Sequence, residues 1–150
     1  MSVQNIVLPV KRAEWAKDIQ LPCYMTNGSA GMDLHAAVDA EAVVSPGEVA
    51  LVPTGIFAAV PDGYELQIRP RSGLALKHNI GILNSPGTID SDYRGEIKII
   101  IINLGREKFI IKRNDRIAQM VLSPVLKATI KEVDELPPTE RNAGGFGHTG

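Results

Sequence analysis

Hydrophobic residues run along the chain in short stretches, broken every few positions by proline or glycine. Tyr64-Glu65-Leu66-Gln67-Ile68-Arg69 alternates strictly, the pattern of a half-buried strand, and Pro61-Asp62-Gly63 ahead of it is turn chemistry. Ala42 to Val60 predicts strand, turn, strand, with Ser45-Pro46-Gly47-Glu48 as the turn. Pro53-Thr54-Gly55 interrupts that stretch before Ile56 resumes it. Ile80 to Asn84 and Glu96 to Leu104 predict the two strands of a central hairpin. The second is apolar on both faces (Ile97, Ile99 and Ile101 against Ile100 and Ile102), so it needs cover on both sides, mid-sandwich or at a subunit interface. Phe109 to Ile111 predicts another strand. In Arg116 to Leu122 the alternation places Ile117, Gln119 and Val121 on one face, where the glutamine needs polar partners. Val3 to Val10 reads as a strand broken at Pro9, and Lys11 to Ile19 as a short helix in which Trp15 is a packing residue. Leu21-Pro22 stops that helix. A second helix is expected over Gly73 to His78, with Ser72 as its N-cap. Short strands at this spacing predict an all-β sandwich or barrel.

Composition narrows the function classes. At 150 residues the chain fits one domain with a real core. A formal charge of −1 argues against a general nucleic-acid binder. No apolar run approaches the roughly 20 residues of a membrane span, and the N-terminal residues lack the basic-then-apolar plan of a secretory signal. Cys23 is the single cysteine, which excludes an intrachain disulfide and a cysteine-built zinc site. A cytoplasmic enzyme or binding protein is expected. Beyond Val133 the composition changes: Asp134 to Glu140 reads as a linker, and Arg141 to Gly150 is too glycine-rich to build a core. Residues 1–133 are therefore expected as the β domain and 134–150 as a linker and arm.

The densest chemistry lies in Gly87-Thr88-Ile89-Asp90-Ser91-Asp92-Tyr93-Arg94-Gly95-Glu96-Ile97-Lys98-Ile99, opened by the turn Ser85-Pro86-Gly87. A carboxylate fixed on a hairpin suits general-base work; Asp90 and Asp92 both qualify, as same-face neighbours by alternation. In Ala30-Gly31-Met32-Asp33-Leu34 the glycine marks a close backbone approach or a simple bend, and Asp33 alone reads as a turn or surface acid. His35 is expected on the other sheet face, as a structural or surface histidine. Pro70-Arg71-Ser72-Gly73-Leu74-Ala75 offers a guanidinium beside a helix N-terminus. That is either an anion site or a capped helix with a surface arginine.

In their order and residues these stretches resemble the motifs of the trimeric deoxyuridine triphosphatases, or dUTPases. The stretch at Asp33 is similar to the first motif, Pro70 to Ala75 to the second, and Gly87 to Ile99 to the third. Arg116 to Leu122 is similar to the fourth, and the tail with Arg141 and Phe146 to the fifth. Asn142 departs from the glycine usual there, although asparagine tolerates a left-handed backbone. The resemblance implies a jelly-roll-like homotrimer with one short helix, a flexible arm and active sites shared between subunits. The implied reaction takes dUTP to dUMP and pyrophosphate, with Mg²⁺, and so limits uracil in DNA and supplies dUMP. Asp90 is implied as the base. Asn84 and the backbone around Thr88, Ile89, Asp90 and Lys98 would receive uracil and sugar, with Tyr93 against the deoxyribose. Arg71, Ser72, Gly73 and Gln119 would hold phosphates, Arg141 the γ-phosphate, and Phe146 would stack on the base. Asp33 would hold the magnesium through water, the ion being carried mainly by the triphosphate. Arg94 is expected as an ion-pair partner and Arg116 as a stabiliser of structure or of a subunit contact. Two alternatives share the scaffold: a dCTP deaminase-like enzyme, against which Tyr93 and the glycine-rich arm argue, and a nucleotide-sensing protein with degraded catalysis.

Overall fold

A computed structural model describes residues 5–147 of the chain. Eleven short strands and one short helix follow one another: β1 (Val10–Arg12), β2 (Cys23–Tyr24), β3 (Met32–His35), β4 (Ala42–Val44), β5 (Val49–Ala58), β6 (Tyr64–Arg69), α1 (Ser72–His78), β7 (Ile80–Ile82), β8 (Gly87–Ile89), β9 (Glu96–Asn103), β10 (Phe109–Ile111) and β11 (Arg116–Pro124). They form a four-stranded sheet in the order β1-β5-β9-β7, a five-stranded sheet in the order β2-β3-β11-β6-β8, and the pair β10-β4. All pairings are antiparallel. The sheets share one core, in which Val52, Ile56, Ile97, Ile99 and Ile101 meet Leu34, Leu66, Ile68 and Met120. This is the all-β sandwich expected from the turn-punctuated alternation.

Three tertiary effects override local patterns. Lys11 to Ile19 is not a helix: Val10, Lys11 and Arg12 pair with Ala58, Phe57 and Ile56, and only Glu14–Ala16 closes a 3-10 turn. The Arg12 guanidinium then donates to the carbonyls of Lys17 and Ile19, oxygens that a helix ending would leave open. Trp15 is half exposed, with its ring edge near Gly55. The expected strand from Val3 begins instead at Val10, and residues 3 and 4 lie outside the described residues.

Pro53-Thr54-Gly55 does not end a strand. β5 runs through it with a bulge between Pro53 and Ile56, where Gly55 takes a φ of 64° and an added Cβ would collide with that of Ala16. Buried Thr54 locks the bulge, donating its hydroxyl to the Ile97 carbonyl while accepting from the Ile56 amide. A second bulge, between Arg116 and Ala118, turns Ile117 into the core beside Ala118 and Met120. Ile117 therefore leaves the face that Gln119 and Val121 keep.

β9 resolves the question of its two apolar faces. Ile97, Ile99 and Ile101 are in the core. The other face forms a stripe from the cross-strand pairs Val49–Ile102 and Leu51–Ile100, in which Val49 and Leu51 are largely exposed. β7 and β9 pair as a hairpin, but the chain between them crosses to the other sheet, where β8 pairs with β6.

Candidate active site

That detour between β7 and β9 creates a pocket. Asn84, Gly87, Thr88, Ile89, Asp90, Tyr93, Glu96 and Lys98 line a cavity of about 350 Å³, floored by Ile68, Ile82 and Ile99 and edged by Leu51 and Ile100. Six residues singled out from the sequence thus converge on one cavity: Asn84, Thr88, Ile89, Asp90, Tyr93 and Lys98. Gly87 is buried, and a Cβ there would press on Ile68 and Asn84.

Asp90 follows β8 directly and is exposed at the pocket wall. The strand has ended, so alternation no longer governs Asp92: the Tyr93 amide donates to the Asp90 carbonyl at 3.2 Å and the chain turns. Asp92 lines a neighbouring groove with Asp62, Glu65 and Lys127, and Asp90 lines both that groove and the pocket. The two carboxylates are neighbours, as expected, but of the two only Asp90 lines the hairpin pocket. Tyr93 is 43% exposed, so it is no core tyrosine. Its hydroxyl donates to the Glu96 carbonyl at 3.0 Å. Its ring lies over Gly95, in the space that an added Cβ would need. Gly95 is therefore the seat of an aromatic ring as well as a bend. Arg94 is not an ion-pair partner: among the described residues it donates only to the carbonyls of Ser91 and Tyr93.

A second cluster forms on the five-stranded sheet. Asp33, 9% exposed, receives Arg71 Nε at 3.3 Å and Arg116 Nη1 at 3.2 Å on its two oxygens. Arg71 also donates to the Arg116 carbonyl. Gln119 faces Asp33 on one side and Arg69 on the other. Its amide donates to the Pro70 carbonyl at 3.0 Å, while its Oε1 fills the space a Cβ on Gly31 would need. The close approach read at Gly31 is thus to this glutamine. Ser72 is the first helical residue rather than the cap. Arg71 holds the cap position with an extended backbone and no side-chain capping bond, so the Ser72 hydroxyl is not consumed there. Open space surrounds Gly73.

His35 is not on the opposite face from Asp33: two residues along a strand return to the same face. Burial pushes its pKa down, against the pull of Asp33 and in concert with Arg116 and Arg71, so the ring is neutral at neutral pH. Its Nδ1 has no hydrogen-bond partner among the described residues. At the flank of the cluster, Arg113 grips Asp18 through two bonds of 2.7 and 2.8 Å and donates to the carbonyls of Trp15 and Val38. That hydrogen bonding holds the Asp18 carboxyl at about 2.

None of Asp33, Arg71, Ser72, Gly73 or Gln119 lines the hairpin pocket. The tail joins neither group. Phe146 is fully exposed, and Arg141 donates to the Gly144 carbonyl within the tail. Asn142 does adopt a left-handed φ of 42°, closed by reciprocal bonds: the Thr139 amide donates to the Asn142 side chain and the Asn142 amide to the Thr139 hydroxyl. Residues 148–150 of the tail lie outside the described residues. Sequence reasoning did not single out Glu96, although it lies inside the stretch Gly87 to Ile99, and missed Leu51, which arrives only through the pairing of β5 with β9.

A divalent cation meets a specific donor set here. Among the described residues no three histidine, cysteine, aspartate or glutamate side chains gather as a metal cage. Asp33 already accepts from two guanidiniums. This set fits a hydrated ion that arrives with its own anionic ligands and does not fit a resident one.

The family model described as dUTPase matches residues 17–150. A deoxyuridine 5'-triphosphate nucleotidohydrolase of Caldanaerobacter subterraneus subsp. tengcongensis is 60% identical over 146 residues, 97% of this chain and 99% of that protein. Its counterpart in Wolbachia pipientis wMel is 55% identical and spans 100% of this chain and 99% of its own length. Among solved structures, a variant of the staphylococcal bacteriophage 80alpha dUTPase with dUpNHpp superposes with a TM-score of 0.82 at 26% identity, covering 97% of this chain and 99% of that one. A dUTPase variant from phage phi11 of S. aureus, described with a structural Mg(II) ion, shares the fold with a TM-score of 0.77 at 24% identity, covering 87% and 98% of the two chains.

Proposed function

The chain belongs to the dUTPase family and hydrolyses dUTP, and from that premise we propose how its residues divide the reaction. The observation that carries the proposal is the single cavity that gathers Asn84, Thr88, Ile89, Asp90, Tyr93 and Lys98. Uracil presents an acceptor–donor–acceptor edge, which strand amides and carbonyls beside Asn84 can match, whereas the cytosine amine would leave a pair mismatched. A thymine methyl would meet the packed strand wall. The Tyr93 ring, held over Gly95, lies against the deoxyribose and leaves no room for a 2′-hydroxyl.

Asp90 orients a water and takes its proton as the water oxygen bonds to the α-phosphorus. The bond from that phosphorus to the bridging oxygen breaks, and pyrophosphate leaves with dUMP behind it. Arg71, Ser72, Gly73 and Gln119 hold the phosphate chain, and Asp33 keeps Arg71 aimed. A Mg²⁺ carried by the triphosphate would be reached by Asp33 through water, and when bound would supply positive charge to the departing pyrophosphate. Arg141 grips the γ-phosphate and Phe146 stacks on the base from an arm formed by residues 134–150, beyond the β domain of residues 1–133.

These pieces belong to different subunits of a homotrimer in the cytoplasm. The exposed apolar stripe of Val49, Leu51, Ile100 and Ile102 supports that assembly. So does the separation of pocket, arginine cluster and tail within one chain. No helix among the described residues is long and apolar enough to cross a membrane. The test is pyrophosphate release with magnesium from dUTP, dCTP, dTTP and UTP side by side. Release from dUTP alone is the expected result. Ammonia from dCTP, or binding of dUTP without turnover, would overturn the proposal in favour of a deaminase or a sensor.

A further inference from the structure

Glu96 stands at the first position of β9, and three separate interactions meet there. Its carbonyl accepts from the Tyr93 hydroxyl at 3.0 Å. Its carboxylate accepts the Gly55 amide at 2.9 Å through Oε1 and faces Lys98 Nζ at 3.6 Å through Oε2. The side chain is only 14% exposed, and Glu96 and Lys98 both line the pocket. Gly55 lies in the β5 bulge, between the ladder partners Pro53↔Lys98 and Ile56↔Ile97, so its amide has no opposite number on β9. The Glu96 carboxylate supplies the missing acceptor, and a charged acceptor makes the stronger bond. Gly55 is itself fixed from behind: the Ala13 amide donates to its carbonyl at 2.8 Å, and Ala16 fills the space above it.

The Glu96 carboxylate thus adds a side-chain tie between the pocket wall and the bulge, beside the ladder that already pairs β9 with β5. Among the described residues the Tyr93 side chain makes only its hydrogen bond to the Glu96 carbonyl, and its ring is 43% exposed and rests on a glycine. We propose that Glu96 is a positioning residue that sets the sugar selectivity of the pocket, tethering the Tyr93 turn to the Gly55 bulge and holding Lys98 at the pocket wall. This rests on the proposed placement of Tyr93 against the deoxyribose. Loss of the carboxylate leaves the Gly55 amide without its acceptor and loosens the bulge beside the first ladder pair of β9, Phe57↔Glu96. The Tyr93 hydroxyl then follows a mobile carbonyl, and the space next to the sugar widens.

The experiment is steady-state hydrolysis of dUTP and UTP by the full chain and by Glu96→Ala, Glu96→Asp, Glu96→Gln and Lys98→Met, each with a melting curve. Glu96→Ala is expected to raise KM for dUTP by roughly 10-fold and to cut the preference for dUTP over UTP by a similar factor, with a smaller change in kcat. Glu96→Asp, too short to reach Gly55, should behave the same way and decides the question if the alanine variant does not fold. Glu96→Gln still offers an oxygen to the Gly55 amide and should keep most of the preference; Lys98→Met should shift KM without touching it. Wild-type preference in Glu96→Asp, or its full loss in Glu96→Gln, overturns the tether. A wild-type chain that does not prefer dUTP over UTP would instead overturn the assignment of the pocket itself.

Discussion

Around the hairpin pocket nearly every wall residue comes from one continuous stretch, Ile82 to Ile100, with Leu51 and Ile68 as the outside contributions. The arginine cluster is assembled in the opposite way. Asp33, Arg71, Arg116 and Gln119 come from distant parts of the chain and meet only because β11 lies between β3 and β6. The pocket is shaped by chain path, with strands turning around a cavity. The cluster is shaped by charge, with one carboxylate shared by two guanidiniums. A pocket of the first kind fixes shape and hydrogen-bond pattern and so suits a base and a sugar. A cluster of the second kind holds positive charge in readiness and suits phosphates.

This division of labour is tested most severely at the pocket. Asp90→Asn should bind dUTP yet lose roughly 10²–10⁴-fold in kcat, the usual contribution of a general base, as read in single-turnover assays. Retained activity would remove the chemistry from the pocket. At the cluster the effect should be smaller and of another type. Asp33→Ala leaves Arg71 and Arg116 unpaired and should lower stability by about 2 kcal/mol in denaturant titrations, while KM for dUTP rises more than kcat falls. A selective fall in kcat would mean that Asp33 does more than aim its arginines. The smallest effect is on the flank. Asp18 is held at about 2, below its ordinary 3.8, so its bridge to Arg113 contributes stability above pH 3.8 that is lost as the pH falls towards 2. Amide exchange should then rise over residues 13–20 and 112–116 before it rises over the pocket. Simultaneous loosening of both regions would show that they are not independent.

The same contrast explains what the sequence disclosed. The strands with strong turn signals, such as Tyr64–Arg69, were legible because they are set by short-range pattern, whereas the pocket residues were picked out from their contiguous stretch by the family resemblance. The continuity of β5 through Pro53-Thr54-Gly55 was hidden. It depends on a bulge stabilised by Thr54, Ala13 and Glu96, all contributions from elsewhere or from a side chain with two possible roles. Lys11 to Ile19 carries helix-compatible residues, yet sheet pairing claimed its first turn. Asp33 looked like a lone surface acid because its two arginine partners are far away in sequence; the resemblance to a family, not the local pattern, singled it out. Asp92 and Asp90 do share a groove, but β8 ends at Ile89, so alternation along the strand could not tell which of the two also lines the pocket.

The reciprocal Thr139–Asn142 turn has a bearing on how often an arm can close. Ordering a free backbone costs about 1–2 kcal/mol per residue, and a glycine-rich segment has the most freedom to lose. By knotting the chain just where Arg141 projects, this turn rigidifies part of the arm in advance. The Gly144 amide and carbonyl, both bonded to Arg141, extend this ordered segment by one more turn. If the arm closes as proposed, closure would begin from a segment already partly folded.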